Sequence, residues 1–157
     1  MVLGNQLKIA ALIYGLLCLI SVQAFGQDLD EVNWGGKELK LSDIDGVCTL
    51  KIDDQEVPVS LGVGVPCYFQ RSGDEFQIYS FSEFKNVTIA VVAGTIVSAE
   101  RRKDYNLDET EICLSNAQGL VLSTSRITAT DRVAWDGLWC RNIGMDRKFF
   151  YGFAASK

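Results

Sequence analysis

From residue 46 onward this sequence breaks into short β-branched and aromatic runs, each closed by turn residues. A chain cut this finely has room for strands but little room for long helices. Val47 to Ile52 alternates along Val-Cys-Thr-Leu-Lys-Ile and is turned by Asp53-Asp54-Gln55-Glu56. Val57 to Val65 follows, with Pro58 marking an edge and Gly62 and Gly64 marking a bulge or sharp bend. Cys67 to Gln70 and Phe76 to Phe81 read as the arms of a hairpin around Arg71-Ser72-Gly73-Asp74-Glu75. Asn86 to Gly94 is the strongest segment. It is apolar without interruption from Ile89, so it is expected at the centre of a sheet with both faces covered.

Residues 97–112 are charged and read as a helical turn or a long loop. Glu111 to Leu114, Leu120 to Thr124 and Arg126 to Thr130 read as further strands, with turns at Gln118-Gly119 and Asp136-Gly137. The tail from Lys148 to Ala154 carries Phe149, Phe150, Tyr151 and Phe153 and reads as a closing core strand. Turn signals about every 8–12 residues predict an all-β fold, a small antiparallel β-sandwich or barrel of about eight short strands. An outer-membrane barrel requires strands of about ten residues with an apolar residue at every second position. The runs here are shorter, and the best of them is apolar throughout.

The start of the chain is different in kind. Lys8 is the only charge before an apolar run from Ile9 to Ile20, and Ser21-Val22-Gln23-Ala24-Phe25-Gly26 closes that run with small and polar residues. This pattern predicts a secretory signal peptide over residues 1–26. Cleavage after Ala24 or after Gly26 both fit, and Gly26 is preferred. A retained anchor would need about 20 apolar residues. Lipid attachment at Cys18 would need a small residue where Leu17 stands, and a pilin-type site would place the apolar helix after the cut. Residues 27–45 are polar and Asp-rich, with Gly35-Gly36 after Trp34, and read as an N-terminal arm or first edge strand. Residues 46–157 read as a single β domain.

Export changes how the cysteines are read. Cys48, Cys67, Cys113 and Cys140 remain after the leader, and an even number in an oxidising compartment implies two disulfides. Three connectivities exist; Cys48–Cys67 with Cys113–Cys140 is favoured because each pair staples one half of the chain. Loss of Lys8 with the leader leaves 14 basic against 20 acidic residues, a net charge of −6. That balance excludes nucleic acid as a partner, because phosphate backbones require clustered positive charge. It favours a basic protein partner instead. Localisation is expected to be periplasmic or extracellular.

The absence of histidine removes Ser-His and Cys-His nucleophile pairs, histidine bases and imidazole metal sites. Ser82-Glu83-Phe84-Lys85 matches Ser-x-x-Lys, but the Lys-Thr-Gly element that accompanies it in enzymes is missing. Asp53, Asp54, Glu75, Asp108, Glu109 and Glu111 are carboxylates that a glycosidase would need in a pair, yet they fall in turns. Asp104 to Asp108 starts like a calcium loop but lacks the glycine and the closing glutamate, and Asp43-Ile44-Asp45-Gly46 is shorter still. No catalytic residue, no cofactor and no metal site is therefore expected.

Aromatic residues give the best indication of binding. Trp135-Asp136-Gly137-Leu138-Trp139-Cys140 gathers two of the three tryptophans beside a cysteine. One reading packs a tryptophan on a disulfide in the core. The other exposes an aromatic loop as a partner anchor, with Arg101, Arg102 and Tyr105 as a second cluster beside Trp135 and Trp139. A rigid stapled scaffold without catalytic groups points to an exported protein-binding domain of inhibitor or immunity type. A structural component of the envelope using exposed sheet edges, or a small-ligand binder with a pocket at the barrel mouth, are the alternatives.

Overall fold

The structure is a computed structural model that describes residues 27–53 and 55–156. The leader at residues 1–26, with Cys18, lies outside the described residues, as does Asp54. Among the described residues two larger antiparallel sheets, a two-stranded ribbon and two short α-helices make the fold.

The first sheet is a meander of β1 (Gln27–Trp34), β2 (Lys37–Ile44), β3 (Val47–Ile52) and β4 (Gln55–Gly64), in that order. The polar arm expected over residues 27–45 is thus a hairpin built into this sheet. Leu39 and Leu41, two apart on β2, are fully buried, and that alternation outweighs the polar composition around them. Two-residue turns join β1 to β2 and β2 to β3. Gly35 and Gly36 have φ of +58° and +80°, and Asp45 and Gly46 have +53° and +80°, the left-handed geometry that twisted hairpins require. The Asp43 carboxylate accepts the Gly46 amide at 2.8 Å, so the Asp43–Gly46 segment is a capped hairpin turn.

The second sheet centres on β9 (Val87–Ile96). Along one edge of β9 lie β5 (Cys67–Phe69) and β8 (Ile78–Phe81), end to end; along the other runs β10 (Cys113–Leu122). The far edge of β10 carries β11 (Ile127–Ala134) and β12 (Trp139–Cys140), again end to end. The hairpin expected between Cys67–Gln70 and Phe76–Phe81 survives only at its tip, as β6 (Arg71–Ser72) and β7 (Glu75–Phe76) around Gly73. Its arms part because β5 and β8 both pair with the same edge of β9.

β9 is covered on both faces, as its unbroken apolar run predicts. Ala90 and Val92 face the first sheet, in a core with Leu39, Leu41, Leu50, Phe69 and Leu120. Ile89, Val91 and Ala93 face the other way, in a second core with Phe81, Leu114, Trp139, Phe150 and Phe153. This second core is closed by a helix, α2 (Arg147–Ala154), where the sequence suggested a strand. Phe150, Phe153 and Ala154 stand at i, i+3 and i+4 and are all buried, so the helical period governs this segment. The Asp146 carboxylate caps α2 by accepting the Lys148 amide at 2.9 Å. The other helix, α1 (Ala99–Asp104), occupies the charged stretch after β9 and is capped by Ser98.

Gln118-Gly119, expected as a turn, lies inside β10. Glycine is required there by packing: a Cβ at Gly119 would fall 2.6 Å from the Cβ of Phe153 on α2. Gln118 is held by interior bonds, its Oε1 accepting the Gly62 amide at 2.6 Å and its Nε2 donating to the Thr130 carbonyl at 2.6 Å.

Both disulfides form with the favoured pairing. Cys48–Cys67 joins β3 of the first sheet to β5 of the second, and Cys113–Cys140 joins β10 to β12. These bonds suit an oxidising, non-cytoplasmic location. Among the described residues no helix is long and apolar enough to cross a membrane.

Candidate binding cleft

The β11–β12 connection is a short loop, and its geometry is fixed from two sides. The Gly137 amide donates to the Ser115 carbonyl at 2.7 Å. From α1, Arg101 Nη2 donates to the Asp136 carbonyl at 2.8 Å and to the Gly137 carbonyl at 3.3 Å, while its Nη1 lies 3.9 Å from the Asp136 carboxylate. Asp136 has φ of +57°, so Asp136-Gly137 is the turn that the sequence indicates. The loop holds its two tryptophans in opposite situations: Trp135 is 63% exposed and Trp139 is 4% exposed.

Trp139 forms a floor. Its ring meets Phe149 edge-on at 5.8 Å and Phe153 at 6.3 Å, so the loop and α2 share an aromatic seam. Trp139 Nε1 is buried without a hydrogen-bond partner and sits against Gly137, where any side chain would overlap the indole. Between loop and helix opens a cleft of about 260 Å³, lined chiefly by Arg132, Trp135, Trp139, Lys148, Phe149 and Phe153. Arg132 lies across the last turn of α2, its Nη1 3.4 Å from the Gly152 carbonyl. Lys148 Nζ stands 5.4 Å from the centre of the Phe149 ring. Apolar walls with two cations at the rim suit a side chain that is large and apolar, next to negative charge.

Four of the five partner residues suggested by the sequence come together here, in different roles. Trp135 is at the mouth, Trp139 is the buried floor, and Arg101 is the brace. Tyr105 is exposed, with the Arg101 guanidinium 5.9 Å from its ring centre, so it extends the same surface. Arg102 points elsewhere. It donates to the Asp108 carbonyl at 2.6 Å and the Glu111 carbonyl at 3.0 Å, and so it holds the loop after α1. Lys148 and Phe149 are missed as site residues because the tail is read with a strand's period, and Arg132 because it stands beyond the strand read over Arg126 to Thr130. The signal that finds Lys148 and Phe149 is the i, i+3, i+4 spacing of Phe150, Phe153 and Ala154, which turns them away from the core.

The Ser82 motif and three of the acids weighed for catalysis, Asp53, Asp108 and Glu111, are engaged by internal hydrogen bonds. Ser82 Oγ donates to Glu83 Oε2 at 3.2 Å within a single 3₁₀ turn. The Asp108 carboxyl is held below its usual range by hydrogen bonds from the Thr110 hydroxyl and amide, at 2.7 and 2.8 Å. Glu111 bonds the Asp108 amide at 3.1 Å, and Asp53 accepts the Glu38 amide at 3.2 Å.

A second polar centre lies beside the cleft's scaffold. The side chain of Asp30, at a bulge in β1, is 4% exposed. Its Oδ1 receives Arg71 Nη2 at 2.8 Å and Arg141 Nη2 at 3.3 Å, and its Oδ2 accepts the Phe69 amide at 2.9 Å. One carboxylate therefore ties β1 to β5, to β6 and to the segment after β12. Arg141 also stacks 5.6 Å from the Tyr68 ring centre. The Tyr68 hydroxyl reaches the Trp139 carbonyl at 2.6 Å and the Ile112 carbonyl at 2.9 Å, and burial pushes it far above its ordinary range. With its oxygens taken up by internal donors, Asp30 acts as a tie between elements.

Fold and cleft together define a class: a disulfide-stapled, all-β domain with a helix-lined aromatic cleft on one face. Comparison with protein-family models, curated proteins and solved structures finds none that matches this chain.

Proposed function

We propose that this chain is an exported, non-catalytic protein-binding domain of inhibitor or immunity type, acting in the periplasm or extracellular space. The observation that carries this reading is Trp135, a largely exposed tryptophan on a loop fixed by Arg101, at the mouth of an apolar cleft. Tryptophan and arginine dominate interface energetics, and a loop that is already ordered loses little entropy on binding. The volume supports the same reading. At about 260 Å³ the cleft is smaller than the ~300–1,000 Å³ of sites that enclose small molecules, but it has room for one large side chain.

The test is affinity capture by the mature chain from native envelope extract, run in parallel with Trp135→Ala. One stoichiometric protein, retained by the wild type and lost by a variant of unchanged melting temperature, is the expected result. Equal capture by both would remove the cleft from the reading, and a copurifying small molecule in native mass spectrometry would replace the reading altogether.

A further inference from the structure

The rim of the cleft differs in charge from the molecule that carries it. The chain is acidic overall, but the residues lining the cleft include Arg132 and Lys148 and no acid. Among the described residues neither cation forms an ion pair with a carboxylate. Of the acids near them, Asp136 lies beside Arg101 and Asp146 accepts the Lys148 amide at the start of α2, while Asp131, next to Arg132 on β11, and Glu83, which shares with Lys148 a hollow on the other side of α2, stand outside the cleft lining. On the next side of α2, Arg147 lies 4.9 Å from the Phe81 ring centre, in a separate hollow that it shares with Glu83 and the exposed Tyr151. The acids concentrate elsewhere: residues 27–53 hold seven carboxylates against three lysines, whereas residues 126–156 hold five basic residues against three acidic ones.

From this complementarity we infer that the cleft takes an acidic segment of the partner protein, in which one large apolar side chain is flanked by carboxylates. The inference rests on the protein-binding reading and adds the chemistry of the occupant. The apolar side chain seats between Trp135 and Phe149 over Trp139 and Phe153. The flanking carboxylates reach Arg132 on one side and Lys148 on the other. Desolvated aromatic contact supplies most of the affinity, and the rim charges supply selectivity against basic sequences.

Three fluorescein-labelled nonapeptides test this by anisotropy with the mature chain. One has a single central Phe flanked by Asp and Glu, the second has the same centre flanked by Lys and Arg, and the third has acidic flanks around a central Ser. The first is expected to bind at least about tenfold more tightly than the others and to weaken as salt rises. Lys148→Glu is expected to weaken it by about fivefold, and Arg132→Glu with Lys148→Glu by more than about tenfold. Arg132 packs on Gly152, so the Lys148 variant alone carries the test if the double variant folds poorly. Equal binding of acidic and basic flanks, no binding of the first peptide, or indifference to Lys148→Glu would each overturn the inference. A partner captured through Trp135 that the acidic peptide does not displace would overturn the acidic occupant and leave the protein-binding reading in place. A dimer that dissociates with Lys148→Glu would replace the separate partner with a second copy's acidic strands.

Discussion

Asp30→Asn is expected to destabilise the fold by about 3–5 kcal/mol, although it changes only one atom's chemistry. The magnitude follows from the geometry. At about 4 Å between charge centres and an effective dielectric near 20, the Arg71–Asp30 pair attracts by about 4 kcal/mol. Arg71 is 17% exposed, so solvent replaces little of this. Arg141 is 35% exposed and its bond is longer, at 3.3 Å, so it adds about 1 kcal/mol or less. The Phe69 amide passes from a charged to a neutral acceptor, a further loss of about 1 kcal/mol. Desolvation of the carboxylate offsets part of this total, which brings the net loss to about 3–5 kcal/mol.

Urea unfolding followed by tryptophan fluorescence measures the effect. With a slope of about 1–3 kcal/mol/M, the midpoint should fall by roughly 2 M at constant slope. Arg71→Met should cost nearly as much as Asp30→Asn, and Arg141→Met about 1 kcal/mol. Replacing all three by apolar residues should restore most of the loss, because no uncompensated charge then remains buried. An Asp30→Asn loss below about 1 kcal/mol would refute the argument, as would equal costs for the two arginines.

The two tryptophans of the β11–β12 loop should separate cleanly in thermal unfolding. Trp139→Ala is expected to cost about 3–5 kcal/mol as a core truncation, and Trp135→Ala less than about 0.5 kcal/mol. Tyr68 gives the chain an alkaline limit. The unfolded chain releases this proton near pH 10 and the folded chain retains it, so stability falls as pH rises above about 10 toward the raised folded value. Melting temperatures from about pH 9 to about 11.5 should show a steeper decline in the wild type than in Tyr68→Phe, which starts lower for want of its hydrogen bonds. Removing Cys48–Cys67 by a double alanine substitution should cost about 3 kcal/mol, and removing Cys113–Cys140, with its longer separation, slightly more. Urea titration of both variants checks the order.

What was legible in the sequence was set by local rules. The unbroken run in β9 can only be covered on both faces, and the Asp136-Gly137 dipeptide turns because its backbone needs a left-handed residue. The disulfides pair locally, as near neighbours were expected to. What was not legible depended on contacts distant in sequence. Gly119 looks like a turn residue, yet it is there to admit Phe153, more than thirty positions away. Asp30 looks like one more surface acid in a polar arm. Its burial depends on arginines 41 and 111 positions further along, which no window of sequence brings together.

The tail shows how one misread period hides a surface. Phe149, Phe150, Tyr151 and Phe153 are dense enough in aromatics to suggest a core strand, and in a strand Phe149, Tyr151 and Phe153 would share a face. The helix groups them differently. Phe150 and Phe153 turn inward with Ala154, while Phe149 and Tyr151 remain exposed beside Lys148 and Arg147. The same four aromatics therefore either close a core or close a core and line a cleft, depending only on whether the backbone advances by two or by 3.6. Composition counts the cations of this segment into a net negative charge, which by itself favours a basic partner. The fold gathers Arg132 and Lys148 around exposed Trp135, so the cleft has the opposite sign from the molecule that carries it.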